Sequence, residues 1–316
     1  MRSFLITWVA GMAVGTACAA TTDGRQIPTD FAGQLIAAQS IGTAFGNDTN
    51  PSQSLGGGSE LNAMYVNPDI ASGRLRLGIT GNLEDIDNDI NGNGIIIYLD
   101  TRSGGENILD SNGGFSNTGA RYVPAMEGTR FDAGFAPDMA IVVNSAGAGF
   151  GEYFVDTIDF ASNTRSYRGR GVLGGGTGSL TGGLNTSNWL IAFDNSNTAG
   201  VGAFVPGAAD GLALTATSGL ELDLAAADLG LATGWTLGIQ IMISGGNFPS
   251  YLSNQNLPSL PIGTNNLAQA PVDYRSFAGD QFSRVTVVPA PFTGMLGLAA
   301  AMGFAARRRR GTGDAA

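Results

Sequence analysis

Arg74-Leu75-Arg76-Leu77-Gly78-Ile79-Thr80 is the stretch whose reading decides the fold class. Apolar side chains at 75, 77 and 79 alternate with polar or small ones. A repeat of two belongs to an extended strand with one face buried and the other wet. The pattern returns at Leu220, Leu222 and Leu224, between Gly219, Glu221, Asp223 and Ala225, and again at Leu237, Ile239, Ile241 and Ile243. Each predicts a half-buried strand. Residues 95–99 and 139–143 are instead continuous apolar runs, suited to central strands covered on both faces. Gly-Asn, Asn-Gly and Asp-Gly steps punctuate these runs as turns, and Gly174-Gly175-Gly176 reads as a loop tip. Helical periodicity between the chain ends is confined to one short candidate at residues 225–229. The expectation is an all-β chain, an antiparallel β-sandwich of roughly ten to fourteen strands.

Composition narrows the chemistry. The chain has 316 residues, 49 of them Gly, only 13% charged, and no His. Without imidazole, Ser-His-Asp and Cys-His catalysis and His-ligated zinc are excluded. Every one of the sixteen basic residues is Arg, and the one cysteine, Cys18, lies in the N-terminal apolar segment. Residues 21–287 are expected to form one large domain, with two smaller ones as the alternative, and they contain no cysteine for a disulfide or thiolate chemistry. Setting aside Arg2, the four arginines at 307–310 and Asp314 leaves eleven Arg against twenty-five acidic residues, a net charge near −14. A nucleic-acid partner is disfavoured, because phosphate binding needs clustered positive charge.

The two ends read as targeting segments. Arg2 precedes an apolar run, and Ala17-Cys18-Ala19 supplies the small residues that signal peptidase requires, so residues 1–20 are expected to be a cleaved signal peptide. Gly15-Thr16-Ala17-Cys18 offers the alternative of a lipoprotein box, with Gly where such boxes usually carry Leu. At the other end, Val288-Pro289-Ala290-Pro291 precedes the apolar residues 292–306 and then Arg307, Arg308, Arg309 and Arg310. The prolines stop the preceding strand, the apolar residues suit a short hydrophobic helix, and the arginines stay on the cytoplasmic side. Fifteen helical residues cover roughly 22 Å, less than the hydrocarbon core, which predicts a transient membrane segment. An ordinary tail anchor or a helix packed on the domain are the other readings.

The order proline motif, hydrophobic helix, arginine cluster resembles the PEP-CTERM sorting signal, with Ala290 in place of the usual Glu. The resemblance implies that residues 288–316 are recognised and cut by an exosortase-type membrane protease. Within the domain, several pieces resemble other exported PEP-CTERM proteins whose layout is related to family 9 carbohydrate-binding modules and the DOMON group. They are residues 61–81 leading to Asn82, residues 95–101 with Asp100, and Phe131-Asp132-Ala133-Gly134-Phe135-Ala136-Pro137-Asp138. Further pieces are Gly219-Leu220-Glu221-Leu222, Asp228-Leu229-Gly230, and Ser253-Asn254-Gln255 with Leu257-Pro258. This implies a jelly-roll or DOMON-like sandwich and, by analogy alone, ligand binding.

Local chemistry concentrates in residues 84–94. Asp87, Asp89 and Asn91 alternate ahead of Gly92, as at the start of a calcium loop, where oxygens converge and Gly permits the sharp turn. An EF-hand is excluded, because its bidentate Glu position holds Tyr98. Asp85 or Asp100 would have to complete a Ca2+ shell. The other reading is a solvated hairpin loop held by Asx turns. Asp132 and Asp138 bracket a turn and either bind a ligand or fix the turn through backbone hydrogen bonds. Glu221 is read first as a salt-bridge partner for an Arg and otherwise as an ion ligand, and Asp156 with Asp159 as a carboxylate pair for glycoside hydrolysis. Trp189, Trp235 and Tyr251, with Tyr167, could stack on sugar rings or pack at sheet edges.

The expected function is that of an exported, non-enzymatic protein of the cell envelope, cell surface or extracellular matrix. Its expected partners are signal peptidase, the exosortase-type protease and extracellular polysaccharide. The alternatives are a calcium-supported carbohydrate-binding module and a carboxylate-dependent glycan hydrolase.

Overall fold

The computed structural model describes residues 21–44, 59–67, 72–83, 93–109, 127–145, 151–174, 176–232, 234–245, 252–267 and 271–287. Both terminal segments, and with them the expected terminal helices, lie outside the described residues. Twelve strands form among the described residues: β1 (Leu35–Ala38), β2 (Glu60–Asn67), β3 (Arg74–Asn82), β4 (Gly94–Asp100), β5 (Met139–Ser145), β6 (Glu152–Asp159), β7 (Thr164–Val172), β8 (Leu190–Phe193), β9 (Gly219–Ala225), β10 (Thr236–Ser244), β11 (Leu252–Leu257) and β12 (Ser283–Thr286). One sheet has the order β1-β2-β3-β9-β8. The other runs β11-β10-β4-β5-β6-β7, with β12 on the same edge of β10 as β11 but further toward the start of that strand. All strand pairings are antiparallel.

The alternating stretches pair with each other. Leu75 faces Leu224, Leu77 faces Leu222, and Ile79 faces Leu220 across β3 and β9. Their side chains enter a core shared with Ile95, Ile97 and Leu99 of β4, Ile141 and Val143 of β5, and Ile239 and Ile241 of β10, so the two sheets pack face to face. On the outer face of the first sheet a one-turn helix, α1 (Ile27–Asp30), lays Ile27 and Phe31 over Ala63 and Tyr65. Gly78 permits this approach, since a Cβ there would lie 2.6 Å from Ile27 Cγ2 and 2.9 Å from the Phe31 ring.

The continuous apolar runs became the central strands β4 and β5, for a reason that lies outside the sheets. Their second faces, with Ile96, Tyr98, Ala140 and Val142, are covered by loops carrying Phe131, Phe135, Phe160, Tyr274 and Phe282. Phe131 meets Tyr98 edge-on with ring centroids 4.9 Å apart, and Phe135 stacks on Phe282 at 4.7 Å. Burying each such ring contributes about 1.5–3 kcal/mol, so this loop layer acts as a second core. It also corrects the half-buried reading of β10: Gln240, Met242 and Ser244 on its other face are buried too. The helix expected at residues 225–229 is instead a run of three-residue turns, with Asp228 N donating to Ala225 O, Leu229 N to Ala226 O and Gly230 N to Ala227 O.

Both open sides of the two-sheet stack are stitched. On one side the segment after β7 pairs with it, Arg170 and Thr181 exchanging backbone bonds of 2.9 Å each, and Gly178 O then accepts Ile191 N of β8 at 2.7 Å. On the other side the polar run Ser253-Asn254-Gln255-Asn256 of β11 is wholly buried. Gln39 Nε2 donates to Gln255 Oε1 and Asn256 O, Leu61 N donates to Gln255 Oε1 at 3.2 Å, and Asn254 Nδ2 donates to Gly42 O at 2.9 Å. Satisfied amides can be buried at little net cost, and here they tie the first sheet's edge to the second's. Among the described residues, no helix is long and apolar enough to cross a membrane.

Candidate functional site

Glu221 sits on the outward face of β9, opposite Gly78, and is fully buried because α1 and the segment before it lie across that face. One of its oxygens accepts the amides of Asp23 at 3.0 Å and Gly24 at 3.3 Å; the other accepts Arg76 Nη2 at 2.5 Å. Arg76 also lies 4.9 Å over the Phe31 ring. Carboxylate oxygens of Asp23, Asp30 and Glu221 come within 4.8 Å of one another, the one such acidic trio among the described residues. Burial pushes the Glu221 carboxyl above its ordinary range against the pull of its three donors, and burial with the nearby Asp23 charge does the same to Asp30. Three carboxylates offer the oxygen donors a hard cation takes. Both Glu221 oxygens are already engaged, however, and the arrangement works as a clasp on the first described residues. Arg25 Nε reinforces it through Asp194 Oδ2 at 2.5 Å.

The other predicted residues are scattered. Asp85, Asp87, Asp89 and Asn91 lie outside the described residues, as do Tyr251, Val288, Pro289, Ala290, Pro291, Arg307, Arg308, Arg309 and Arg310. Asp100 is the one member of the expected calcium shell among the described residues. It ends β4, about 20 Å from Gly94 at the loop's end of the strand. Asp100 accepts the Ala136 amide at 3.1 Å. Asp132 accepts the Gln281 amide at 2.5 Å, and Asp138 accepts those of Thr101 and Arg102, so both hold backbone in place.

Asp156 and Asp159 each have their own arginine: Arg165 Nη2 lies 2.8 Å from Asp156, and Arg102 Nη2 contacts Asp159. Burial raises the Asp156 carboxyl above the usual range. At Asp159 burial is outweighed by the Ser162 amide and by Arg102, which hold it below. Neither carboxylate is left facing a common substrate position. Trp189 is fully buried, with Arg168 stacked 4.4 Å above its ring, so its faces meet protein and not solvent. Tyr167 is half-buried beside Phe154.

Trp235 differs from all of these. It is 42% exposed, the one exposed aromatic side chain among the described residues. Its carbonyl accepts the Val287 amide at 2.8 Å, and Val287 O accepts the Gly234 amide at 2.9 Å, so it flanks the last described residue of the chain. Sequence reasoning had no route to the clasp, because Asp23 and Glu221 are 198 residues apart. No protein-family model, curated protein or solved structure matches this chain.

Proposed function

We propose that this is an exported, non-enzymatic protein of the bacterial cell surface or extracellular matrix, freed of its signal peptide at residues 1–20 and processed within its tail at residues 288–316. The observation that carries this reading is the order Pro289-Ala290-Pro291, apolar residues 292–306, Arg307 to Arg310, beginning immediately after Val287 and Val288. An exosortase-type membrane protease is the proposed partner for that tail, and signal peptidase for the other end. The engagement of Asp138, Asp156, Asp159, Asp194 and Glu221 by arginines and amides supports a binding or structural role for the domain over hydrolysis. Intact-mass analysis of the protein recovered from the host envelope is expected to give a chain that begins at Ala20 or Thr21 and lacks Arg307 to Arg310. Recovery of the arginine-bearing C-terminus would refute the processing.

The exposed ring of Trp235 favours one second reading, a calcium-supported carbohydrate-binding module of the DOMON or family 9 layout. Asp85, Asp87, Asp89 and Asn91, between β3 of one sheet and β4 of the other, with Asp100 at the end of β4, are the proposed Ca2+ ligands. On this reading Trp235→Ala abolishes glycan-array binding while the melt stays unchanged, and chelation lowers Tm. Glycan arrays without binding, or a Tm indifferent to chelator, would each remove their half of it.

A further inference from the structure

The chain leaves the domain at Val287 on a short link to the apolar tail. Four residues, 288–291, separate Val287 from the tail's hydrophobic stretch at Phe292, a span of five residue-to-residue steps, and two of the four are prolines. At 3.1–3.6 Å per residue that connection reaches about 16–18 Å at most. The headgroup layer on one side of a bilayer takes up roughly 5–8 Å of it. Once residues 292–306 enter the membrane, Val287 is therefore held within about 10 Å of the lipid headgroups.

The surface around that exit point combines an exposed aromatic ring with two chain segments free of acidic residues. Trp235 is bonded through its backbone to Val287 and projects the one exposed aromatic ring among the described residues. Ala232, Gly234, Thr236 and Thr286 around it are exposed and uncharged. Residues 231–238 and 281–287 contain no Asp or Glu and one Arg, Arg284, in a domain whose net charge is near −14. An acidic domain is repelled by the negative surface of a bilayer, so a tether this short favours a face poor in carboxylates; across from Gly238 the half-buried Asp100 has Arg284 near it. Trp is the side chain best suited to that layer, with an apolar ring and a polar N–H.

We infer that the edge formed by Trp235, Thr236 and Thr286 lies against the headgroup region of the bilayer while the tail is uncleaved, fixing the orientation in which the domain is held for processing. This rests on the membrane reading of the tail. The occupant of this surface is lipid, and cutting the tail releases it.

Depth-resolved fluorescence quenching tests the contact. The full chain carrying Trp8→Phe retains Trp235 and the buried Trp189, and is reconstituted into vesicles of phosphatidylethanolamine and phosphatidylglycerol. The lipids are brominated either near the headgroup end or near the methyl end of the acyl chain. The difference in emission between this chain and the same chain with Trp235→Phe isolates Trp235. That difference is expected to fall about twofold with shallow bromine and little with deep bromine. A third chain, with Trp235→Phe and Leu298→Trp, reports tail insertion through quenching by deep bromine. Quenching at 298 with unchanged Trp235 emission would overturn the surface contact and leave the tail reading standing. Absence of quenching at both positions would overturn the tail reading and the contact together.

Discussion

Asp138→Ala is expected to destabilise the domain by about 3–5 kcal/mol, the cost of removing one partner from a buried, charge-assisted cluster. Asp138 is fully buried at the entry to β5 and accepts from Thr101 N at 2.5 Å, Thr101 Oγ1 at 2.9 Å and Arg102 N at 2.9 Å, with Arg102 Nε at 3.3 Å. Its own amide donates to Leu99 O, and its carbonyl accepts Phe160 N. One side chain thus closes the turn after β4 and aligns it with the starts of β5 and of the turn after β6. Alanine strands two amides away from water. In urea titrations the midpoint should fall with an unchanged slope, and Tm should drop by about 10 °C. Asp138→Asn, which keeps a carbonyl acceptor, should lose less than half as much. A loss below about 1 kcal/mol for the alanine variant would show that the turn is held by other contacts.

Glu221→Ala carries a loss of similar size, about 3–5 kcal/mol, because it leaves Arg76 and the amides of Asp23 and Gly24 without their shared acceptor. Its pH dependence has a definite sign. Burial raises the Glu221 carboxyl in the folded protein, so between the unfolded and folded values the folded state binds more protons. The stability this group contributes is fully present below the ordinary Glu value of about 4.3 and declines as pH rises through the raised folded value. The gap between parent and Glu221→Ala should therefore be widest near pH 4 and narrow toward neutrality, as read by denaturant titration at several pH values. A gap that widens with pH would mean that Arg76 and the two amides outweigh burial.

The strands were legible where side chains report their own burial. Leu75, Leu77 and Ile79 announced β3, and Leu220, Leu222 and Leu224 announced β9, because a repeat of two has one physical cause. That these two stretches are neighbours was not legible, since no local signal encodes a partner so far along the chain. β11 escaped because Ser253, Asn254, Gln255 and Asn256 look like loop residues: their burial depends on acceptors and donors brought from Gln39, Gly42 and Leu61. Trp189 and Trp235 both come after turn residues at the start of a strand, yet Arg168 covers one and nothing described covers the other.

The pairing of β3 with β9 sets an order of events for a chain that is made from its N-terminus. β1, β2 and β3 can assemble early as a meander, but β3 keeps one side unpaired until residues 219–225 emerge. Glu221, which secures Asp23 and Gly24, arrives in that same segment. Non-local closure of this kind gives high contact order and slow folding. The domain therefore acquires its first complete sheet only when about seven tenths of the chain has been made, and until then an open strand edge must be kept from other chains.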